Sequence, residues 1–333
     1  MASYNVLVVT NLWPTQADPS FGSFVKAQME SLRPLGVAYD VLFVNGRASR
    51  WNYLRGVREL HQQLGAKRYD LIHAHFGFSG WVARCQLRVP VVISFMGDDV
   101  LGRPKKSGRN TLSGHFLKIS GFIFARLATA VIVKSRQMAA TLRMPSAHVI
   151  PNGVDLNLFR PMEQAEARKI LGLDPAKKFV LFPYNPKEVR KRFDLIEAAV
   201  ELARKEIPAL EILMARGLPQ QQLPLYMNAA DVLVMASMSE GSPNAVKEAM
   251  ASNLPVISVD VGDVIDLIGA TDGCYLVPRN AAAVAEKIVD VCRRGRRTNG
   301  REWISRLSME SVAQQIVSLY ADTVRDKRTH LQP

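Results

Sequence analysis

The chain reads as an α/β protein of two Rossmann-like halves, and three observations predict this. Short β-branched runs alternate with amphipathic stretches of helical length along the whole sequence. The alternation pauses at a Pro-Asn-Gly turn inside HVIPNGVD, residues 148–155, and then begins again. The length, 333 residues at 48% hydrophobic composition, suits two domains with a core each.

In order, strands are expected near residues 6–9, 41–44, 71–75, 91–95 and 130–133, with 148–155 supplying a last strand and the turn. A second set is expected near 179–182, 210–214, 232–236, 256–259 and 274–277. The final helix, about 309–324, carries Val312, Ile316, Leu319, Tyr320 and Val324 at helical spacing. The most apolar stretch, residues 121–133, is 13 residues long and contains Arg126, short of the roughly 20 that a spanning helix needs. The start runs directly into NVLVVT without the basic, apolar and small-residue order of an export signal, so a cytoplasmic protein is expected. Cys85, Cys274 and Cys292 are odd in number and scattered, which favours reduced thiols over disulfides or a zinc site.

The chemistry is concentrated in SMSEGSPNAVKEAMASNLPVISVDVGD, residues 237–263. After the apolar run at 232–236, Ser242 reads as an N-cap and Pro243 as the first helical residue, with the helix reaching about Ser252. The first amides of such a helix lack intrahelical partners and carry the positive end of its dipole, so Gly241, Ser242, Pro243 and Asn244 form a candidate anion seat. Gly241 lets the backbone come close. Glu240 precedes the seat, while Glu248 falls on the second turn, on the face of Ala245, Ala249 and Ser252. On spacing alone, a solvated Glu240 and a surface Glu248 would explain the stretch equally well.

This stretch, with Glu240 and Glu248 separated by seven residues and flanked by NAADVLV, LPVIS and VGD, resembles the signature of the family 4 glycosyltransferases. These are retaining enzymes of GT-B fold that use nucleotide-sugar donors. FGSFVKAQMESLRPLGVAYDVL, DLIHAHFG, VIVKSRQMAATL and VIPNGVDLNLFRP are similar to the family as well, so the resemblance spans almost the whole chain. It implies an acceptor-side domain of residues 1–154, a donor-binding domain of 155–308, a cleft between them, and a C-terminal helix of about 309–325 crossing back to the first. It also implies that Gly22 lies in a loop approaching the donor phosphate or the acceptor, and that His75 and, less directly, His73 end a strand near the cleft.

Two departures stand out. In FMGDD, residues 95–99, Met96 occupies the position where the family often has a histidine that contacts the donor sugar, and methionine can neither donate a hydrogen bond nor take a proton. In PYNPKEVRKRFDLIEAA, Lys191 aligns with a family lysine, but Arg192 replaces the glycine that follows it, and Pro186 stands where an arginine is usual. Arg190 and Lys187 are then the candidates to share the donor pyrophosphate with Lys191.

The resemblance implies transfer of a sugar from a UDP- or GDP-linked donor to an acceptor hydroxyl, with retention, for cell-surface polysaccharide or glycolipid synthesis. Lys191, Arg190 and the amides of residues 241–244 would stabilise the leaving diphosphate, Glu240 would bind sugar hydroxyls and Glu248 the ribose. No aspartate-rich metal motif or further cofactor is expected. A nucleotide-sugar epimerase of the same fold and a non-catalytic nucleotide-sugar-binding partner of another transferase remain as rivals.

Charge adds one expectation. Residues 1–154 hold 19 Lys and Arg against 7 Asp and Glu, a net of +12, while 155–333 hold 24 against 23. Arg47, Arg50, Arg55 and Arg58, interleaved with Trp51, Tyr53, Leu54 and Val57, suggest a basic amphipathic surface, and Arg103, Lys105, Lys106 and Arg109 a second cluster. With no nucleic-acid-binding motif present, the expected anion is the inner face of the membrane, where a saccharide or lipid-linked acceptor would be met, and the alternative is a solvated basic face that only aids solubility.

Overall fold

The structure, a computed structural model, describes residues 3–105 and 107–329. Lys106, part of the second basic cluster, lies outside them. The chain divides into two units: one of residues 1–103, 110–153 and 309–333, the other of 104–109 and 154–308.

The first unit is a six-stranded parallel sheet of β1 (Tyr4–Thr10), β2 (Val37–Phe43), β3 (Leu71–His75), β4 (Val91–Ser94), β5 (Ala130–Val133) and β6 (His148–Val149), in the order β2-β1-β3-β4-β5-β6. Its strands are apolar on both faces because helices cover both. Leu7, Val9, Ile72, Ile93 and Val131 face a core shared with the helices Asn52–Ala66, Gly77–Arg84 and Leu112–Leu127. The alternate residues Val6, Val8, Leu71, Val92 and Ile132 pack against the helix Ser23–Leu32 and the C-terminal helix Met309–Thr329. Val312, Ile316, Leu319 and Tyr320 of that last helix are buried here, and it runs beyond the expected end at 324.

The second unit is a five-stranded parallel sheet of β7 (Lys178–Phe182), β8 (Leu210–Met214), β9 (Val232–Met235), β10 (Val256–Ser258) and β11 (Tyr275–Leu276), in the order β11-β10-β9-β7-β8. Phe179 and Leu181 face one core and Val180 and Phe182 the other, again by the two-residue period of a strand. The order reverses between β7 and β9. Such a switch point leaves a crevice at the carboxyl ends of its strands, the usual ligand position in open α/β sheets.

Two expectations need correction. The helix after β9 is Asn244–Ala251, and Pro243, with ψ 116°, is its cap residue instead of its first turn. Ser242 therefore does not cap it; its hydroxyl accepts a hydrogen bond from the Lys247 ammonium at 3.1 Å. Tyr53 and Val57 do not join the basic surface either, since both pack against the core, leaving Trp51 and Leu54 outside. Among the described residues, no helix is long and apolar enough to cross a membrane.

Candidate active site in the second unit

Two loops build the site, one after β7 and one after β9. The loop after β7 closes in a single 3-10 turn, Val189–Lys191, before the helix Phe193–Ala203. Arg192 joins them in the left-handed conformation, φ 53° and ψ 46°, where a residue with a Cβ is strained and glycine is at ease. The glycine common in the family at this position thus has a conformational reason, and Arg192 takes the same turn while its guanidinium pairs with Asp194 at 3.1 Å.

The two loops are tied together by backbone and by charge. The amide of Met238 donates to the Arg190 carbonyl at 2.9 Å, and the Arg190 guanidinium donates to the Ser239 carbonyl at 2.8 Å. Glu240 then receives both cations: Lys191 Nζ lies 2.6 Å from Oε1 and Arg190 3.1 Å from Oε2. Lys191 also sits over the Tyr184 ring, 3.6 Å from its centroid. Lys191 and Glu240 are nearly removed from solvent, with side chains 6% and 11% exposed. Burial disfavours both charges, and it lowers the Lys191 ammonium from its ordinary range. Burial also pushes Glu240 up, but the fields of Lys191 and Arg190 outweigh it and hold the carboxyl below its ordinary value. Lys187, by contrast, is exposed.

Four residues after Glu240 comes the start of the Asn244–Ala251 helix, the positive end of its dipole. Gly241 and Pro243 are buried, while Ser242 and Asn244 keep part of their surface open. The loop after β10 presses against this seat. A Cβ on Gly262, whose φ is +64°, would lie 2.9 Å from the Gly241 carbonyl oxygen and 3.0 Å from that of Glu240.

Glu248 lies one turn into the helix, partly exposed, and its carboxyl has no hydrogen-bond partner among the described residues. Burial pushes its carboxyl up to about 7, and only Lys247 opposes that shift. Lys247 went unnoticed in the sequence because a lysine on a helix reads as solvated, yet it is 0% exposed. Burial lowers its ammonium to about 8, against the pull of Asp263 and Glu248. Asp263, at the end of the β10 loop, is pushed up by burial to about 6, with Lys247 and a hydrogen bond from Ser242 opposing. Lys247, Ser242 and Asp263 therefore bind the helix, the anion seat and the neighbouring loop into one block.

The remaining candidates lie in the first unit. Gly22, at φ 71°, is packed so tightly that a Cβ would lie 2.3 Å from the Leu12 carbonyl carbon, which accounts for glycine there without any ligand. His73 is a satisfied core residue: Tyr320 Oη is 2.6 Å from Nδ1, Ser94 Oγ is 2.8 Å from Nε2, and burial lowers the ring to about 3. His75 is also fully buried, with Gln28 Nε2 3.5 Å from its Nε2 and no partner on Nδ1. Burial, then His73 and Lys134, lower it well below its usual range, so it stays neutral. Met96 is partly exposed, and Asp99 fixes the turn around it by accepting the amides of Met96, Gly97 and Gly77 at 2.9–3.0 Å. Asp99 is thus a cap. Among the described residues, no group of three or more His, Cys, Asp or Glu side chains is arranged to hold a metal ion.

Comparison with known proteins bears on this geometry. A family model described as Glycosyltransferase Family 4 matches residues 2–158, and one described as Glycosyl transferases group 1 matches 187–294. The chain is 32% identical over 239 residues to a putative teichuronic acid biosynthesis glycosyltransferase, TuaC, of Bacillus subtilis, a match covering 66% of this chain and 60% of the relative. It is 33% identical over 177 residues to the lipopolysaccharide core biosynthesis mannosyltransferase LpsB of Rhizobium meliloti, covering 45% of this chain and 50% of that protein. The matches thus span about half to three fifths of these relatives' own length. Among solved structures, sucrose-phosphate synthase of Thermosynechococcus elongatus has the same fold at a TM-score of 0.75 and 21% identity, covering 96% of this chain and 99% of that one. HepE of Anabaena, solved with UDP and glucose, gives 0.68 at 16% identity, covering 96% and 100%. With both halves matched and the two parallel sheets of the GT-B fold in place, the chain belongs to the family 4, group 1 glycosyltransferases.

Proposed function

We propose that the protein transfers a sugar from a nucleotide-sugar donor to an acceptor hydroxyl, with retention at the anomeric carbon, in polysaccharide or glycolipid synthesis. The observation that carries this is the Lys191, Arg190 and Glu240 cluster at the β7/β9 switch point, with Glu240 four residues before a helix start. Two cations, Lys191 held by Glu240 and Arg190 shared between Glu240 and Glu188, are preorganised for the charge that grows on a departing diphosphate, and little reorganisation is left for the moment of reaction. The amides at the helix start add donors for the same oxygens. Glu248, a carboxylate without a hydrogen bond, suits the two ribose hydroxyls, and Glu240 offers its remaining lone pairs to hydroxyls of the sugar. Fixed cations do here what a divalent ion does elsewhere, so the reaction is read as metal-independent.

A donor that is UDP- or GDP-linked fits the family, and HepE, of like fold, was solved with UDP and glucose. The acceptor is read as a saccharide or lipid-linked glycan, met where the basic first unit docks on the anionic inner face of the membrane.

The test is incubation with UDP- and GDP-sugars, with and without glycan acceptors, following nucleoside diphosphate release and the anomeric configuration of the product. Acceptor-dependent release with retained configuration, unaffected by a chelator, is expected. Release from the donor alone, with epimerised sugar, would replace transfer by epimerisation. Donor binding without turnover across the panel would leave a nucleotide-sugar-binding protein.

A further inference from the structure

The helix Leu112–Leu127 turns a large part of its apolar surface outward. Leu112 is 90% exposed, Phe116 62%, Ile119 60%, Ile123 50% and Leu127 46%. Their spacings of four, three, four and four residues bring all five onto one strip of the helix, since 3.6 residues make a turn. The opposite side, with Leu117, Gly121 and Ala125, is buried in the first unit. A helix apolar on both sides at a protein surface has a further environment to meet.

The strip continues sideways. Tyr53, Phe78 and Phe116 form a line of rings, with centroids 5.4 and 5.8 Å apart, which joins this helix across Gly77–Arg84 to the start of Asn52–Ala66. There Trp51 and Leu54 are mostly exposed, between Arg50, Arg55 and Arg58. The charge beside the strip is mainly of one sign. Residues 110–154 contain five Lys and Arg and no Asp or Glu, Lys118 and Arg126 lie on the exposed side of the helix itself, and Asp98, on the short helix packed against it, is paired with Arg103 at 3.0 Å.

We propose that the Leu112–Leu127 strip, with Trp51 and Leu54, is the element that enters the headgroup layer of an anionic bilayer and seats the first unit there. This deepens the docking part of the function proposed above and rests on it. Large apolar side chains bordered mainly by lysine and arginine complement an anionic interface, where burial of the strip and attraction of the charges act together. A second copy of the chain fits less well, because it would bring the same basic margins face to face.

The experiment is co-sedimentation of the full chain with vesicles of phosphatidylcholine, or of phosphatidylcholine with phosphatidylglycerol, at low and raised salt. The wild type is compared with a triple variant, Phe116→Ser, Ile119→Ser and Ile123→Ser, whose side chains face outward, so thermal melts are expected to match. The expected result is binding to the anionic vesicles that the triple variant loses by at least about tenfold, while raised salt weakens the wild type only in part. If the triple variant binds as the wild type does and salt removes both, docking is electrostatic and the strip has no part in it. If the wild type binds neither vesicle at low salt, docking and insertion both fall. If the wild type is a dimer in solution and the triple variant a monomer, the strip is a contact between copies, and the proposal is overturned.

Discussion

Replacing Glu248 by glutamine is expected to stabilise the protein at alkaline pH while weakening its grip on the donor. The Glu248 carboxyl has an ordinary value of 4.5 and is pushed to about 7 by burial, so the folded chain holds its proton more tightly than the unfolded chain does. Below about 4.5 both states are protonated and the group contributes nothing. As pH rises from there to about 7 the unfolded state ionises first and stability falls, after which the penalty is constant. A shift of about 2.5 units corresponds to about 3 kcal/mol at most. Because part of the side chain still reaches solvent, about 1–2 kcal/mol is the realistic share. Glutamine has the shape without the charge, so above pH 8 it should recover that amount, roughly 2–8 °C in Tm for a unit of this size. Near pH 5, early in that window, the gap between variant and wild type should shrink to about a quarter of this. Nucleotide affinity should move the other way, weakening about tenfold, since a charged acceptor is replaced by a neutral one. Thermal melts at pH 5 and 8.5, with and without UDP and GDP, test both. A variant less stable than the wild type at pH 8.5 would mean that the carboxylate is satisfied in the folded chain, and the reasoning would be refuted.

Three further outcomes are expected. Lys191→Ala should cut turnover at least about tenfold and cost about 3 kcal/mol, because a buried Glu240 then keeps one cation instead of two; unchanged kinetics with a normal melt would remove Lys191 from the site. Arg192→Gly should raise stability by up to about 1 kcal/mol by relieving the φ of 53°, after allowance for the added freedom of the unfolded chain and the lost Asp194 pair, and denaturant melts would show any loss instead. Met96→His should leave the protein active while changing its preference among donor sugars, because Asp99 holds the backbone there whichever side chain it carries. Complete loss of activity in a folded Met96→His protein would show that Met96 is needed for packing.

Much of the architecture was legible because parallel strands advertise themselves: the runs at 71–75, 130–133 and 210–214 coincide with β3, β5 and β8 to the residue. The pairing of Lys191 and Arg190 with Glu240 was not legible, since their positions are 49 and 50 residues apart and meet only because β7 and β9 are neighbours. The start of the helix after β9 was misplaced by one residue: serine before proline is a strong cap pattern, but Pro243 stays extended and Lys247 engages Ser242. The outward strip of Leu112–Leu127 escaped notice for a related reason. Its sequence, LSGHFLKISGFIFARL, is apolar at too many positions for one buried face, and only the packing tells which of them face out.

The return of the Met309–Thr329 helix to the first sheet has a consequence for how the protein is made. Tyr320 closes the face of that sheet and bonds to His73, 247 positions earlier in the chain. During synthesis the first sheet can form its strands, but Val6, Val8, Leu71 and Ile132 are covered only in part, by Ser23–Leu32, until the Met309–Thr329 helix leaves the ribosome. Residues 154–308, continuous and joined at their ends by the Val154 and Ser308 bridge, face no such delay. The order of completion therefore runs against the order of translation, with the second unit finished first. In the interval the nascent chain carries an apolar sheet face that is only partly covered, the period in which it most needs a chaperone.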